Sequence, residues 1–590
     1  MAYAVTLFAV GLIYRSTFIA QGYNPTDDGW LQSMAMRILA GQMPYQDFYF
    51  PLPPLSIYEQ AALMRLVGNS YGILAARWVF SVEVSLASVL AFVIIGRYFK
   101  PMLAFLVTLP TCFFSVILFY FSNYSYDGEV LALLSLALLV HSTARRRYLA
   151  VLGGLAGGLA FMAKPTFLGL LPVVVLAAVA DGLAMRQSPN AETAAVGGTI
   201  APSLGRYVVG FAIVPLAVFG YFAAAGAGYD FINRAYLIPR QTYPLPLTFV
   251  IWQDLPQWLF FWPNISGYIA LLMMLIVLVR VERVPDFLRL GAVAGIALLL
   301  LVRAIPSAVN GLPNSRQDAL LLVALATLLL LNFGAIASSI LARGKLKDRL
   351  SPPNLPVMAL GLQYMAQFNN AGARFSYYGA FLSVPVALLL LHALAVEAPS
   401  ARLRGPFVVG VPPWAVVIIG LVIALAGIVD THAVVFRDGP RSQLTSSFST
   451  PLLGGIQSRP ANTEAIDGIV QAVISRTKPG DPIFVMPDYP ALYFLTGRRN
   501  PTPTGWYETG QLSPEQTSAA VTSLTKDPPR VVILQTYDAG DFTHTAPMLN
   551  YLAIPQLRPI YLFLVAHYQP VQQIGDVEIY VPTALPATGG

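Results

Sequence analysis

Long apolar segments recur between residue 2 and residue 429 of this chain, and they limit its possible folds more than any other feature. A helix needs about 20 mostly apolar residues to cross the hydrocarbon core of a bilayer. The sequence therefore predicts thirteen membrane-spanning helices, at residues 2–20, 73–96, 101–121, 129–141, 148–163, 165–184, 207–226, 263–280, 288–304, 319–340, 355–370, 375–396 and 407–429. The expected fold class is mainly α, a polytopic transmembrane helix bundle.

The composition agrees with a membrane protein and excludes other classes. Apolar residues make up 56% of the 590 residues and charged residues 11%, whereas soluble domains average about 45–50% and about 25%. The single cysteine, Cys112, excludes an intramolecular disulfide and a cysteine-rich metal site. The net charge of +7 does not indicate nucleic acid as a partner, because the basic residues form short clusters between apolar segments.

The distribution of basic residues predicts the orientation of the chain. Sixteen lie in alternate short loops or at the edges of these loops: Arg97, Lys100, Arg145, Arg146, Arg147, Arg186, Arg206, Arg280, Arg283, Arg289, Arg343, Lys345, Lys347, Arg349, Arg402 and Arg404. By the positive-inside rule these loops are cytoplasmic. We therefore expect a multi-pass protein of the inner (plasma) membrane with a cytoplasmic N-terminus. The first segment lacks a charged n-region and a cleavage site, so we interpret it as a retained helix.

Residues 430–590 are predicted to form a small α/β domain on the outer, periplasmic or extracellular, face. Glycine and proline separate its short apolar runs, as is typical of strands and turns. The predicted strands are 482–487, 530–535, 571–574 and 576–581, and the predicted helices are 463–475 and 513–524. Asn462 is the expected N-cap of the first helix. The transmembrane domain is accordingly assigned to residues 1–429.

The outer segment at residues 21–72, between the first two spans, carries the candidate chemistry. Asp27 and Asp28 follow the first span, an amphipathic helix comes next, and Asp47 lies further along the same aromatic segment. Carboxylates in apolar surroundings have shifted pKa values suited to proton transfer. A structural alternative is that an aspartate of the pair caps the following helix. A second long outer segment, 227–262, is also aromatic and is predicted to lie in the membrane interface.

Three stretches of the chain resemble the GT-C superfamily of membrane glycosyltransferases, which includes the protein O-mannosyltransferases and the lipid A aminoarabinose transferase. The first is the acidic pair followed by a helix and by GQMPYQDFYFPLPPL at residues 41–55. The second is GGLAGGLAFMAKP at 153–165, in which Lys164 ends the fifth predicted span, and the third is ARFSYY at 373–378. The glycines of the second stretch are also typical of close helix packing. The resemblance extends over the whole chain.

The resemblance implies an inverting transfer of a sugar from a polyprenyl-phosphate donor to a lipid, glycan or protein acceptor on the outer face. Asp27 would be the catalytic carboxylate that deprotonates or orients the acceptor, and Asp28 and Asp47 would belong to the same acidic site. The leaving phosphate requires cations or oriented donors. The candidates for that role are Lys164, Arg374, Arg240 and Arg316, of which Lys164 and Arg374 have the matching sequence contexts. Alternatively, Lys164 extends along its helix end to the interface and Arg374 is an ordinary solvated loop residue.

Four residues are candidates for a pocket that holds the acceptor or the donor: Tyr45, Tyr49, Asp488 and Tyr489. Tyr45 and Tyr49 lie in the first outer segment, close to the aspartates. Asp488 and Tyr489 follow a predicted strand of the outer domain, where a turn with only a structural role is the alternative.

Asp127 and Glu129, between the third and fourth spans, are candidate ligands of a divalent metal such as Mg²⁺ or Mn²⁺, because hard cations prefer carboxylate oxygens. Alternatively, Asp127 caps a helix and Glu129 lies in its first turn. The histidines stand alone, so a histidine zinc site is not expected. Arg77 and Glu83 lie inside the second predicted span, where charged residues are either functional or paired with a neighbouring helix.

Two other functions are compatible with the predicted membrane spans and outer domain. A transporter or flippase for lipid-linked glycans should concentrate charged residues at mid-span and contain repeats, whereas the charges here lie mainly at span ends. A ligase of lipid-linked glycans is the other alternative, although its key residues are expected in a large late outer loop. The chain contains no nucleotide-binding motif and no large cytoplasmic segment, which favours a lipid-linked donor over a nucleotide sugar.

Overall fold

A computed structural model describes residues 1–113, 123–187, 200–239, 354–367, 381–386, 388–389, 438–507, 512–536 and 548–583, with a few residues between 420 and 435. The structural statements that follow concern these residues. The predicted spans at 263–280, 288–304 and 319–340 and most of 375–396 and 407–429 lie outside them.

The described part of residues 1–429 is mainly helical. Its helices are α1 (Ala2–Ser16), α2 (Trp30–Leu39), α3 (Leu55–Val67), α4 (Ile73–Gly96), α5 (Pro101–Thr108), α6 (Tyr124–Val140), α7 (Tyr148–Ala163), α8 (Leu170–Gln187), α9 (Leu204–Ala224), α10 (Gly228–Ile232) and α11 (Asn354–Gln367). Three segments among the described residues are long and apolar enough to cross a membrane: Ile73–Gly96, Pro165–Gly182 and Ala201–Ala224. A mainly α membrane protein is therefore confirmed, while the count of thirteen spans stays a prediction.

The glycines of α7 allow it to pack closely against α9. A Cβ atom added at Gly154 would collide with the backbone oxygen of Tyr207, and one added at Gly158 would lie 2.6 Å from the backbone oxygen of Phe211. Backbones that approach this closely require small residues at the crossing. The packing role predicted for these glycines is confirmed.

The first outer segment folds into α2 and α3, joined by an aromatic loop. Helix α2 begins at Trp30 and follows Gly29, which has φ 113° and provides no side-chain cap. Neither aspartate of the acidic pair caps α2, so the capping alternative is wrong for both. The aromatic residues of this segment form a core with those of α9 and α10, including Trp30, Tyr45 and Phe222.

The described C-terminal residues form a four-stranded sheet with the order β5–β6–β8–β7. Four short strands precede it, β1 (Val434–Val435), β2 (Gly439–Pro440), β3 (Ser446–Ser447) and β4 (Gln457–Ser458), and the sheet contains β5 (Ile483–Met486), β6 (Val531–Gln535), β7 (Tyr568–Ile574) and β8 (Val577–Pro582). Strands β5 and β6 are parallel, and β8 pairs antiparallel with β6 and β7. Each of the four predicted strands overlaps one of these strands.

Helices cover both faces of this sheet: α12 (Pro460–Ile474), α13 (Ala491–Thr496), α14 (Pro514–Lys526) and α15 (Arg558–His567). Every residue of β5 and β6 is buried, as expected of strands with helices on both faces. Ser513 caps α14 in a capping box with Gln516. The N-cap prediction for α12 is wrong, because the helix begins at Pro460 after Arg459 and Asn462 lies inside its first turn.

Candidate active site in the first outer loop

The two aspartates of the acidic pair have different environments. Asp28 is buried and forms an ion pair with Arg77 of α4, whose Nε donates to its Oδ2 at 3.1 Å. Burial raises the pKa of Asp28 to about 6, and the neighbouring guanidinium opposes that rise. Arg77 also donates to the carbonyl oxygens of Ile19 at 2.9 Å and Gly22 at 2.7 Å. Asp28 is thus part of a buried cluster that attaches the loop to the helix bundle.

Asp27 is the half-buried member of the pair. Its Oδ2 accepts a hydrogen bond of 2.9 Å from Nδ2 of Asn24, whose Oδ1 in turn accepts from the backbone N–H of Thr26 at 3.1 Å. Asn24 and Thr26 are buried, so the carboxylate is held at a defined position while part of its surface stays accessible. Of the two aspartates, Asp27 has the exposure that a group reacting with substrate needs.

The C-terminal region holds the acidic loop from its other side. The backbone of Gln457 pairs with that of residues 20–22, with hydrogen bonds of 2.7 and 2.8 Å. The N–H of Tyr23 donates to the buried carboxylate of Asp438 at 2.9 Å. The N–H of Ala491 donates to the carbonyl of Pro25 at 3.3 Å. These contacts hold the acidic loop against the described C-terminal region.

Asp47 and the two tyrosines lie in the aromatic loop between α2 and α3. Asp47 is exposed, and its Oδ2 accepts from the N–H of Met43 at 2.6 Å, which closes a turn. Tyr45 is completely buried, and its hydroxyl donates to the carbonyl of Leu52 at 2.7 Å. Tyr49 is partly exposed, and the guanidinium of Arg234 lies 4.1 Å from the centre of its ring. Within this loop Tyr49 is the tyrosine accessible to a ligand.

Lys164 follows the last residue of α7 and is buried, with 6% of its surface exposed. Its Nζ donates to Oγ of Ser125 at 3.1 Å and lies 5.6 Å from the centre of the Tyr124 ring. The Tyr124 ring is 6.4 Å from that of Trp30, and Trp30 is 5.3 Å from Trp506 of the C-terminal region. The side chain of Lys164 is therefore buried within the protein, next to Ser125 and Tyr124. The alternative in which this side chain extends to the membrane interface is wrong.

Asp127 and Glu129, the predicted pair of metal ligands, do not lie in the same group of carboxylates. Asp127 lies with Glu59 of α3 and Glu83 of α4 in a group of three carboxylates, in which one oxygen from each residue lies within 4.8 Å of one oxygen of each of the others. Glu129 is fully buried and does not belong to this group. Both residues are inside α6, which begins at Tyr124, and residues two apart on a helix project in different directions. Asn123, not Asp127, caps this helix through the N–H of Ser125 at 2.8 Å.

The remaining candidate residues are distributed over the chain. Tyr489 is buried, and its hydroxyl donates to Oδ2 of Asp576 at 2.8 Å inside the C-terminal region. Asp488 is partly buried in the turn after β5. Arg240, Arg316 and Arg374 lie outside the described residues.

Sequence reasoning did not identify several residues that build the site. Asn24 and Asp438 hold the acidic loop, and Glu59 completes the carboxylate group. Glu59 had a detectable signal, since it is the single acid in the mostly apolar helix LSIYEQAALMRLV. The sequence contained no signal for Asp438, because its partner Tyr23 is 415 residues away.

The solved structures that are similar to this chain include the following three. The apo oligosaccharyltransferase of Archaeoglobus fulgidus is 14% identical, with a TM-score of 0.47 over 90% of this chain and 69% of that chain. The archaeal oligosaccharyltransferase AglB from Archaeoglobus fulgidus, in complex with an inhibitory peptide and a dolichol-phosphate, is 13% identical, with a TM-score of 0.46 over 99% and 75%. ArnT from Cupriavidus metallidurans in the apo state is 13% identical, with a TM-score of 0.42 over 98% and 97%.

These similar structures are GT-C glycosyltransferases, the class that the sequence resembles. No family profile and no curated protein sequence matches the chain.

Proposed function

We propose that this protein is an inverting membrane glycosyltransferase that moves a sugar from a polyprenyl-phosphate donor to an acceptor on the outer face of the membrane. The observation that carries the proposal is the contrast between the two aspartates: Asp28 is buried against Arg77, whereas Asp27 is half-buried and held by Asn24. Neighbouring carboxyl groups with different environments can take different chemical roles. Asp27 is the one available to receive a proton.

In the proposed reaction, an acceptor oxygen attacks the anomeric carbon while the bond from that carbon to the donor phosphate oxygen breaks. The phosphate leaves with the bonding electron pair, and the acceptor proton passes to Asp27. Charge therefore develops on the leaving phosphate, and a fixed cation stabilises it. Lys164 is the described candidate, because it is buried beside Ser125 and Tyr124 and is linked through Trp30 to the acidic loop.

The other predicted residues complete the proposed site. Arg240 and Arg374 are proposed as further phosphate ligands on the basis of their sequence contexts. Tyr49 is proposed to contact the sugar or the acceptor, since its ring is partly exposed beside Arg234. Asp47 and Tyr45 are proposed to support the shape of this loop through their hydrogen bonds to Met43 and Leu52. Asp488 and Tyr489 are proposed to contribute to the pocket that holds the acceptor.

We further propose the thirteen-span topology, with residues 1–429 as the transmembrane domain and 430–590 as the outer domain. The contacts between residues 20–25 and the C-terminal region require an even number of crossings between these two segments. The twelve spans predicted between them satisfy that requirement. The positive-inside distribution then assigns the shared side to the outer face.

The test is turnover of purified protein with a panel of polyprenyl-phosphate sugars, measured as release of polyprenyl phosphate. Asp27→Asn is expected to lower turnover at least about 100-fold, because general-base catalysis contributes about 10² to 10⁴, while thermal unfolding stays as in the wild type. Lys164→Met is expected to lower turnover and to weaken donor binding, and Lys164→Arg to restore part of both. Glu464→Gln, at an exposed acid of α12, is the matched control.

Unchanged turnover in Asp27→Asn would remove the proposed role of this residue. If no monophosphate donor is turned over while the protein moves a lipid-linked glycan between leaflets, the transporter function replaces the transferase. Turnover with pyrophosphate-linked glycans alone would favour the ligase.

A further inference from the structure

We propose that Arg234 is a positioning residue for Tyr49: its guanidinium holds the aromatic loop between α2 and α3 in the conformation that presents the Tyr49 ring to a ligand. Arg234 lies in a π-helical turn, Asn233–Leu237, that directly follows α10. This inference rests on the proposed function, in which Tyr49 contacts the sugar or the acceptor. It adds a residue of the second outer segment to a site formed mainly by the first.

The aromatic loop contains a residue in a conformation that its side chain disfavours. Tyr45 has φ 70°, and among the described residues it is the only one other than glycine with a positive φ. A bulky side chain is unfavourable in the left-handed region and keeps that conformation only where neighbouring contacts impose it. Residues of this kind are concentrated at functional sites. The contacts that impose the conformation of Tyr45 are therefore candidates for a functional role.

Both the ring and the backbone of Tyr45 are held from the same side. Its ring centre lies 5.1 Å from those of Phe222 in α9 and Phe231 in α10. Its carbonyl oxygen accepts a hydrogen bond from Nη1 of Arg234, and the carbonyl oxygen of Gln46 lies 3.5 Å from the same nitrogen. Hydrogen bonds from a charged donor are stronger than those between neutral groups. The guanidinium therefore fixes the backbone on the C-terminal side of the strained residue.

The same guanidinium contacts the Tyr49 ring. Its Cζ lies 4.1 Å from the ring centre, within the range of a cation–π contact. The N–H of Tyr49 donates to the carbonyl oxygen of Pro503 at 2.8 Å, so the C-terminal region holds the backbone of Tyr49 while Arg234 holds its ring. Burial raises the pKa of Tyr49, and the charge of Arg234 opposes that rise. The Tyr49 hydroxyl therefore keeps its proton at neutral pH and can donate a hydrogen bond to a ligand oxygen.

Asp230 and the π-helical turn orient Arg234. Oδ1 of Asp230 lies 3.5 Å from Nη2 of Arg234, one helical turn away. Tyr236 of the same turn packs in the opposite role, against Phe161 of α7 and Phe231 of α10, with ring centres 5.7 and 5.6 Å apart. π-helical turns are rare and occur frequently at functional sites. Arginine suits this position because its planar guanidinium donates several hydrogen bonds and stacks on an aromatic ring at the same time.

The first experiment examines the aromatic loop without turnover, in the purified full-length chain in detergent. Mass spectrometry follows hydrogen–deuterium exchange in residues 43–50 and hydroxyl-radical labelling of the Tyr49 ring. Arg234→Gln is expected to increase both rates about threefold, the effect of losing a cation–π contact at a partly exposed site. Arg65→Gln, at an exposed arginine of α3, is the matched control and is expected to give the wild-type rates.

Unchanged exchange and labelling in Arg234→Gln would overturn the proposal, whether or not the protein is a transferase. If Arg234→Gln does not fold, Asp230→Asn provides the same test, because it removes the charge that orients the guanidinium and leaves Arg234 in place. Wild-type rates in Asp230→Asn and in Arg234→Lys together would also overturn it.

The second experiment uses turnover and determines whether Arg234 acts through Tyr49. Arg234→Gln is expected to raise the KM of the substrate that Tyr49 contacts about tenfold and to leave kcat within about twofold, as expected for loss of uniform binding. In a Tyr49→Ala background the same substitution should have no further effect on KM, because the effects of coupled residues are not additive. Arg234→Lys keeps the charge without the planar fork and is expected to recover part of the loss.

An equal rise in KM on Arg234→Gln in the wild-type and Tyr49→Ala backgrounds would show that Arg234 does not act through Tyr49, and the positioning role would be wrong. If no donor is turned over, the proposed function fails, and the exchange and labelling rates still decide whether Arg234 holds the loop and the Tyr49 ring. Failure of the transferase proposal and failure of this inference are therefore distinguishable.

Discussion

The guanidinium of Arg77 and the carboxylate of Asp28 form an ion pair in which each side chain is only 3% exposed. Arg77 lies in the long apolar helix α4, and Asp28 lies 49 residues earlier in the first outer loop. The same guanidinium donates to carbonyl oxygens of the segment that follows α1, among them those of Ile19 and Gly22. One cation thus neutralises half of the acidic pair and also fixes the loop that carries the other half.

Removing one partner of this ion pair is expected to destabilise the protein. Arg77→Met or Asp28→Leu alone leaves a buried charge without a partner, which typically costs about 3–5 kcal/mol. The double variant Arg77→Met/Asp28→Leu leaves no buried charge and is expected to recover part of that loss. Thermal unfolding of the four proteins in detergent is the measurement. If the single variants were as stable as the wild type, the conclusion that Arg77 and Asp28 form a stabilising buried ion pair would be contradicted.

The pH dependence of stability should report the raised pKa of Asp28. Its folded-state pKa of about 6 lies above the ordinary value of 3.8, so the folded chain binds this proton more tightly than the unfolded chain does. The contribution of this proton to stability is full below about pH 4 and is lost as the pH rises through about 6. We expect the unfolding temperature of the wild type, relative to that of Asp28→Asn, to increase as the pH falls from 7 to 4. A relative decrease over that range would mean that the pKa is lowered instead.

The segments predicted most accurately are those whose boundaries depend on local sequence alone. The span predicted at 73–96 is α4, because 24 mostly apolar residues lie between Gly72 and Arg97. Strand β6 lies within its predicted range for the same reason, since Pro529 and the end of the apolar run delimit it. Hydropathy and breaker residues are sufficient for such segments.

Polar residues inside helices, and contacts between distant segments, were the main sources of error. Helix α6 begins at Tyr124, five residues before its predicted start, because Asn123 caps it and its first turns contain acids that lower the hydropathy. Asn462 does not cap α12, because its amide donates to Asp438 at 2.7 Å. The carboxylate group and the Arg77–Asp28 pair both join residues from different helices. No local pattern encodes such a juxtaposition.

The contact between Asp438 and the acidic loop is expected to control the order of that loop. Asp438 accepts from the N–H of Tyr23 at 2.9 Å and from Ser458 and Asn462 at 2.5 and 2.7 Å. Asp438→Ala leaves these donors unsatisfied, and hydrogen bonds to charged groups contribute about 1.5–3 kcal/mol each. We expect faster hydrogen–deuterium exchange in residues 20–25 and lower transferase turnover.

Asp467→Ala is the control for this experiment. Asp467 makes hydrogen bonds of the same kind, to the N–H of Ser449 at 2.6 Å and to the hydroxyl of Thr450 at 2.7 Å, but both partners lie in the C-terminal region. It should lower stability without changing exchange in residues 20–25. Equal exchange in the two variants would mean that Asp438 has no specific effect on the acidic loop.

The crossing of α7 and α9 should not tolerate a methyl group. Gly154→Ala directs a Cβ into the backbone of Tyr207 and Phe211, and overpacking of this kind typically costs about 1–3 kcal/mol. Gly220→Ala, on α9, meets nothing within 4 Å and is expected to leave stability unchanged or slightly higher. Thermal unfolding of both variants is the measurement. Equal unfolding temperatures would show that the two helices separate without cost.

The pairing of residues 20–22 with Gln457, and of Tyr23 with Asp438, has a consequence for biosynthesis. These partners are separated by more than 400 residues, and a ribosome produces the acidic loop long before it produces Asp438. The loop reaches its final conformation only after the region around Asp438 and Gln457 has been synthesised and folded. A nascent or truncated chain therefore lacks a finished acidic loop, and maturation of the site coincides with completion of the protein.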